Sequence, residues 1–394
     1  MTQTIKQAAD AVLEYTVGRA GGVPGVVAMA TDRSGNFYEG SAGKRELGKD
    51  QPMTADSVMA LFSTTKAVTG TTVMQLVEEG KIRLEDAAKQ YVPEIAELQV
   101  LDGFDAGGQP KTRAPRRDIT VNDLMLHISG LGYEFFNEDD LKYRAAKGIP
   151  SVISSSFAVI RTVLLHEPGE RWTYGPNIDW LGRIVEQQRG KRLSAVMKER
   201  IFEPLGMNDT GFVMSDAMKA RRAIIHDRAQ DGKLTSLPDL VLPDPPEMDM
   251  GGHGLYGTVG DYMKFIRMML NEGNGPHGRV LKAETVERMS KNGLGKLKSG
   301  GWVTCAPSLT NTGEFFPGLS KSWAYTFMVN DEDAPTGRPA GSLGWAGLGN
   351  LFYWIDRKNG IGGFWGTQVL PFQDVASYPG FVDFEAAVYR SLKR

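Results

Sequence analysis

Only one cysteine, Cys305, occurs in 394 residues, so no disulfide can form within the chain. A lone cysteine reads as a small, largely apolar side chain and not as a nucleophile. An excess of charge of one sign is also missing. The 45 Lys and Arg nearly balance 47 Asp and Glu, for a net charge of −2 and no basic block. That excludes nucleic acid and an anionic membrane surface as partners. No apolar run approaches the roughly 20 residues of a membrane span. Met1-Thr2-Gln3-Thr4-Ile5-Lys6-Gln7 has no apolar signal core, so the chain is read as cytoplasmic, with no membrane partner. The five histidines, His127, His166, His226, His253 and His277, include no His-x-x-x-His pair, and no metal site is expected. No Gly-x-Ser-x-Gly occurs, which removes the strained nucleophile turn of α/β-hydrolases. What remains is ordinary for a folded domain: 41% hydrophobic and 23% charged residues, enough for a sizeable core.

The informative stretch is Leu61-Phe62-Ser63-Thr64-Thr65-Lys66-Ala67-Val68. No proline interrupts Thr64 to Glu79, and Gly80 supplies a stop, so Ser63 opens a helix. Positions three apart share a helix face, which brings Lys66 Nζ within reach of Ser63 Oγ. Free N–H groups at a helix start favour negative charge, as on an oxyanion. That is the physical content of a Ser-x-x-Lys nucleophile. The same spacing also fits an ordinary cap serine. Ser41-Ala42-Gly43-Lys44 matches it too, but sits between glycines in a strand-like stretch with no helix behind it.

Along the chain, Ile5, Ala8, Ala9, Val12, Leu13 and Val17 recur at helical spacing. Val23–Thr31 and Phe37–Ala42 read as a hairpin around Arg33-Ser34-Gly35-Asn36. Leu84-Glu85-Asp86 reads as the start of a helix ending near Pro93, and residues 102–117 as a surface loop. Thr120 caps a short helix from Val121 to His127. Residues 150–220 are helical in period. Residues 236–250 carry four prolines and must cross extended. Helices follow at 261–271 and 282–290, then strands at 323–329, 344–355 and 362–370, and a closing helix at 381–392. The expected fold is therefore α/β of the α+β kind. One antiparallel sheet is built from both chain ends (1–85 and 285–394) and covered by the terminal helices. A mainly helical lobe (86–284) is inserted, with the site in the cleft between them.

A Ser-x-x-Lys enzyme needs a second proton-handling group, and Tyr174 in Trp172-Thr173-Tyr174-Gly175-Pro176-Asn177 is the candidate. With it the chain resembles the serine β-lactamase and penicillin-binding superfamily, and within it the family VIII carboxylesterases and class C β-lactamase-like hydrolases. The ordered matches are Ser63-x-x-Lys66, His127-Ile128-Ser129-Gly130-Leu131, Tyr174 with its helix, Pro204-Leu205-Gly206-Met207, and Gly251-Gly252-His253-Gly254-Leu255. The resemblance implies a β-lactamase/transpeptidase-like fold and an acyl-enzyme on Ser63. It implies acid–base work by Lys66 and Tyr174, and an oxyanion held by the N–H groups of Ser63 and Leu348. No cofactor is called for. Two departures carry information. Gly344-Trp345-Ala346-Gly347-Leu348 stands where β-lactamases have Lys-Thr-Gly, so an indole replaces the cation that would bind a substrate carboxylate. Asn177 lies three residues after Tyr174, not two, which puts its amide-binding role in question.

These readings predict a serine esterase of small, neutral, short-chain esters. Trp345 and Gly347 line the site, with Tyr133 on the opposite wall. An acyltransferase with the same intermediate, a β-lactamase or D-Ala-D-Ala peptidase, and a non-catalytic binding module are the alternatives. The sequence separates neither hydrolase from transferase nor one oligomeric state from another.

Overall fold

The computed structural model describes residues 4–392. The elements that place the site are, in chain order, α1 (Ile5–Gly18), β1 (Gly25–Thr31), β2 (Asn36–Gly43), α2 (Thr65–Glu78), α3 (Asn177–Arg189), α4 (Val259–Leu270), β3 (Lys321–Trp323), β4 (Met328–Asn330), β5 (Leu343–Gly347), β6 (Leu351–Asp356), β7 (Ile361–Gly366) and α5 (Ser377–Leu392). Seven strands form one sheet in the order β3-β4-β5-β6-β7-β1-β2. Every neighbouring pair is antiparallel. The expected sheet from both chain ends is present, and its seam is the pairing of β7 with β1, Phe364 opposite Met29.

Both faces of the sheet are covered, so β1 and β6 are buried along their whole length. Side chains alternate between the two faces. Phe352, Trp354 and Trp365 meet α5, with Phe352 stacked on Phe381 at 4.9 Å and Trp365 6.0 Å from Phe384. Tyr353 and Phe364 meet α4, where Tyr262 sits 5.1 and 4.9 Å away. α1 packs beside α5, so both terminal helices lie on one face. α4, from within the 86–284 span, covers the other.

Several local expectations need correction. No α-helix opens at Leu84, because the Asp86 carboxylate binds the hydroxyl of Tyr91 and Arg83 Nε. Only short 3₁₀ turns follow, at Ala88–Gln90 and Pro93–Glu97. Residues 102–117 are not simply loop. Val100–Phe104 pairs with Pro110–Arg113, and Asp105 Oδ1 accepts the N–H groups of Gly107 and Gln109 at the turn. The run 344–355 is a hairpin of β5 and β6, turned at Asn350 in the left-handed region (φ 60°), which asparagine tolerates. The run 323–329 likewise splits into β3 and β4. Beyond Gly366 the chain leaves the sheet, and Val369–Leu370 pairs in parallel with Ile225–Arg228.

Candidate active site

Ser63 lies in a 3₁₀ turn, Phe62–Thr64, that runs directly into α2. Phe62 before it takes φ 45°, a left-handed conformation that a bulky residue avoids unless its surroundings impose it. The imposing contact is close. A side-chain carbon on Gly347 would lie 2.5 Å from Leu61 O, so only glycine lets β5 approach the turn. Trp345 is opposite Tyr353 in the β5–β6 register, hence on the face that looks toward α2 and the helical lobe.

Lys66 is completely buried, on the first turn of α2. Its Nζ donates to Ser63 Oγ at 3.2 Å, to Tyr133 OH at 3.1 Å and to Gly252 O at 2.8 Å. It also lies 4.6 Å from the centre of the Tyr174 ring. Burial lowers its pKa to about 7, against the pull of Asp179 in the opposite direction. Asp179, fully buried near the start of α3, accepts the Gly252 N–H at 2.7 Å. A side-chain carbon on Gly252 would lie 2.5 Å from that carboxylate, so the turn needs glycine there. Asp179 thus fixes the carbonyl that Lys66 holds.

The Tyr174 hydroxyl accepts the indole N–H of Trp345 at 3.0 Å. Burial pushes its pKa well above the usual phenol value, and the neighbouring Ser63 hydroxyl and the Trp345 N–H work the other way. His127, also buried and neutral, packs against the ring at 5.0 Å. These groups open into a cavity of about 300 Å³. Ser63, Tyr133, Tyr174, Trp345, Gly347 and Leu348 all line it. Its remaining wall is mostly apolar, with Phe135, Phe136, Trp302 and Phe372 prominent, and it contains no lysine, arginine, aspartate or glutamate. Neither the Ser63 N–H nor the Leu348 N–H meets a protein acceptor among the described residues. No cluster of metal-ligating side chains occurs among them either.

A Beta-lactamase family model matches residues 2–383. This chain belongs to the Beta-lactamase family. A lovastatin esterase of Penicillium rubens is 32% identical over 373 residues, covering 89% of this chain and 90% of that protein. Monacolin J acid methylbutanoyltransferase of Aspergillus terreus is 29% identical over 384 residues, covering 93% and 92%. The solved structure of unliganded simvastatin synthase LovD from Aspergillus terreus superposes with a TM-score of 0.85 at 27% identity, covering 98% of each chain. About nine-tenths of this chain is therefore matched both by an esterase and by an acyltransferase.

One assignment changes against the structure and two are extended. Asn177 does not line the cavity. Its amide is spent inside the helical lobe, donating to His127 Nδ1 at 2.9 Å and accepting from Ser129 Oγ. Tyr133 lines the cavity and, beyond that, accepts a hydrogen bond from the lysine directly. Trp345 is not only an apolar surface, since its N–H is used on Tyr174. Sequence reasoning passed over Phe135, Phe136, Trp302 and Phe372 as cavity residues, because no periodicity marks which aromatics converge from separate loops. Asp179 and His253 stood inside matched motifs, and a buried carboxylate and imidazole there were the available signal.

Proposed function

We propose that the protein is a serine esterase that hydrolyses neutral short-chain carboxylic esters through an acyl-enzyme on Ser63. The observation that carries this is the Lys66 contact set: a buried amine with its pKa near neutrality, 3.2 Å from a serine oxygen in the cavity. A neutral Lys66 takes the Ser63 proton as Oγ attacks the ester carbonyl. The N–H groups of Ser63 and Leu348 receive the oxyanion. Tyr174 stays protonated because of its burial. The Trp345 N–H occupies one side of its oxygen, so its own proton points toward Ser63 and the leaving group. The alcohol departs with that proton. The phenolate left behind is held by the Trp345 N–H and the adjacent Lys66 ammonium. Water then gives its proton to the phenolate, Lys66 returns its proton to Ser63 Oγ, and the starting state is restored.

Transfer of the acyl group to an alcohol is the second reading, favoured by the methylbutanoyltransferase relative. The same intermediate serves both. The cavity supports a neutral substrate in either case. A carboxylate would have to leave water for a wall without a cation, at a cost of several kcal/mol. The cytoplasmic location expected from the sequence remains part of this proposal. Among the described residues no helix is long and apolar enough to cross a membrane. The test is intact-protein mass spectrometry after rapid quench with a nitrophenyl butyrate. A butyryl adduct mapped to Ser63 is expected. Turnover without a Ser63 adduct, and unaffected by replacing Ser63, sinks the proposal.

A further inference from the structure

One pair of rings meets across the cleft and has no task in the cycle above. Phe136 belongs to the helical lobe, in the turn before the helix Glu138–Lys147. Trp302 stands on the connection between the helix Ala283–Met289 and β3, the edge strand of the sheet. Both line the cavity, and their ring centres are 5.9 Å apart. Each ring is held from its own side. The Trp302 indole N–H donates to Asn311 O at 2.8 Å, and the Trp302 backbone exchanges hydrogen bonds with Gly313 at 2.9 and 3.1 Å. The Asn311 N–H donates to Phe372 O at 2.9 Å, which roots this connection on the segment that follows β7. Phe136 packs edge-on against Phe135 at 4.6 Å. Beside the pair, the Cys305 N–H donates across the cleft to Phe135 O at 2.8 Å. The outer neighbours locate the bridge. Phe136 lies 6.4 Å from the Tyr174 ring, and Trp302 lies 5.4 Å from Phe372. The rings thus run in a line from the proton-relay tyrosine to the far wall. Both bridging side chains are only half-buried, so this line is an outer boundary of the cavity and not part of the core.

Resting on the acyl-enzyme reading, we propose that Phe136 and Trp302 together bound the space for the alcohol portion of the ester and select for small alcohols. Four groups surround the attacked carbon. Ser63 Oγ is one. The oxyanion is directed to the N–H groups of Ser63 and Leu348, and the ester oxygen to Tyr174, which gives it a proton. The group carried by that oxygen therefore extends past Tyr174, on the side where Phe136 stands against its ring. The acyl chain takes the remaining direction. A small alkyl group fits beneath the two rings and gains apolar contact with them. A bulky one has to part them, which breaks the ring contact and opens apolar surface to water. Neither residue makes or breaks a bond. They decide which ester reaches Ser63 with its alcohol side correctly placed.

The experiment places one bulky group at either end of a neutral ester. Ethyl butyrate is the reference, naphthylmethyl butyrate carries the bulk on the alcohol, and ethyl naphthylacetate carries it on the acyl group. Ratios of kcat/KM are taken within each protein, which cancels any loss of folded enzyme. In Trp302→Ala and in Phe136→Ala, the ratio of naphthylmethyl butyrate to ethyl butyrate is expected to rise at least about tenfold, within the usual reach of an apolar pocket over size. The ratio of ethyl naphthylacetate to ethyl butyrate is expected to stay at its wild-type value. Trp302→Phe keeps a ring opposite Phe136 and is expected to give a smaller rise. An unchanged alcohol ratio in both alanine variants overturns the proposal. So does an equal rise for the bulky acyl ester, which marks a general loosening of the cavity. Failure of the underlying reading looks different, since the butyrate esters then leave no adduct on Ser63 in any of these proteins.

Discussion

At Lys66 the cost of function is concentrated in one atom. A buried amine with a pKa near 7 is protonated, and useless as a base, at lower pH. kcat/KM for a neutral ester is therefore expected to fall about tenfold per pH unit on the acid side of about 7, and to level off above it. A pH–rate profile between 5 and 9 checks this, and a flat acid limb contradicts it. Ser63→Ala should abolish turnover at a stability change on the order of 1 kcal/mol or less, since it removes one hydroxyl at a helix start. Ser41 is exposed on β2 opposite Val27, so Ser41→Ala should stay fully active. Trp345→Phe keeps the apolar wall and loses the N–H on Tyr174. Roughly tenfold slower acylation is expected, as for one hydrogen bond lost from the anionic oxygen that forms in that step. Tyr174→Phe removes the proton relay, with kcat expected to drop roughly 10²–10⁴-fold. Single-turnover kinetics on both variants separate the two effects.

Elements carry this chemistry by bringing three separate turns to one lysine. Asp179 on α3 grips the Gly252 turn, and that turn grips α2 through Lys66. Asp179→Asn removes the charge that holds the Lys66 pKa up, so the acid limb of the pH profile should move to lower pH. A limb that stays in place would show that the carboxylate acts only as a clamp. The linkage also explains what the sequence could reveal. Ser63, Lys66 and Tyr174 were legible because each sits in a short local pattern beside a helix start. The β1–β2 hairpin was legible from its β-branched run and turn residues. The 100–113 hairpin was hidden because it is a two-stranded ribbon with exposed strand positions, so it leaves no buried alternation. The Asn177 role was misplaced for a similar reason. Its partners His127 and Ser129 are about 50 residues earlier, and no spacing rule connects them.

For the whole molecule, the wall of the cavity sets what enters. With no fixed cation among its lining residues, kcat/KM for neutral acetate to butyrate esters should exceed that for penicillins and cephalosporins by at least about 10³, or roughly 4 kcal/mol of transition-state binding. Parallel assays with an aryl butyrate and a chromogenic cephalosporin decide it. The terminal helices bear on stability. Phe384 packs against Trp354 at 5.9 Å and Trp365 at 6.0 Å, and is fully buried. Phe384→Ala is expected to cost about 3–5 kcal/mol, read as a fall in the midpoint of denaturant unfolding.

The β7–β1 seam has a consequence for birth order on the ribosome. Ser63, Lys66 and Tyr174 emerge before Trp345 and the Leu348 N–H, and β1 waits for β7 to pair. A nascent chain can thus carry Ser63 and Lys66 well before the strands that complete the groove around them. Under the proposed function, acyl chemistry is switched on only once β5 to β7 have been made and docked.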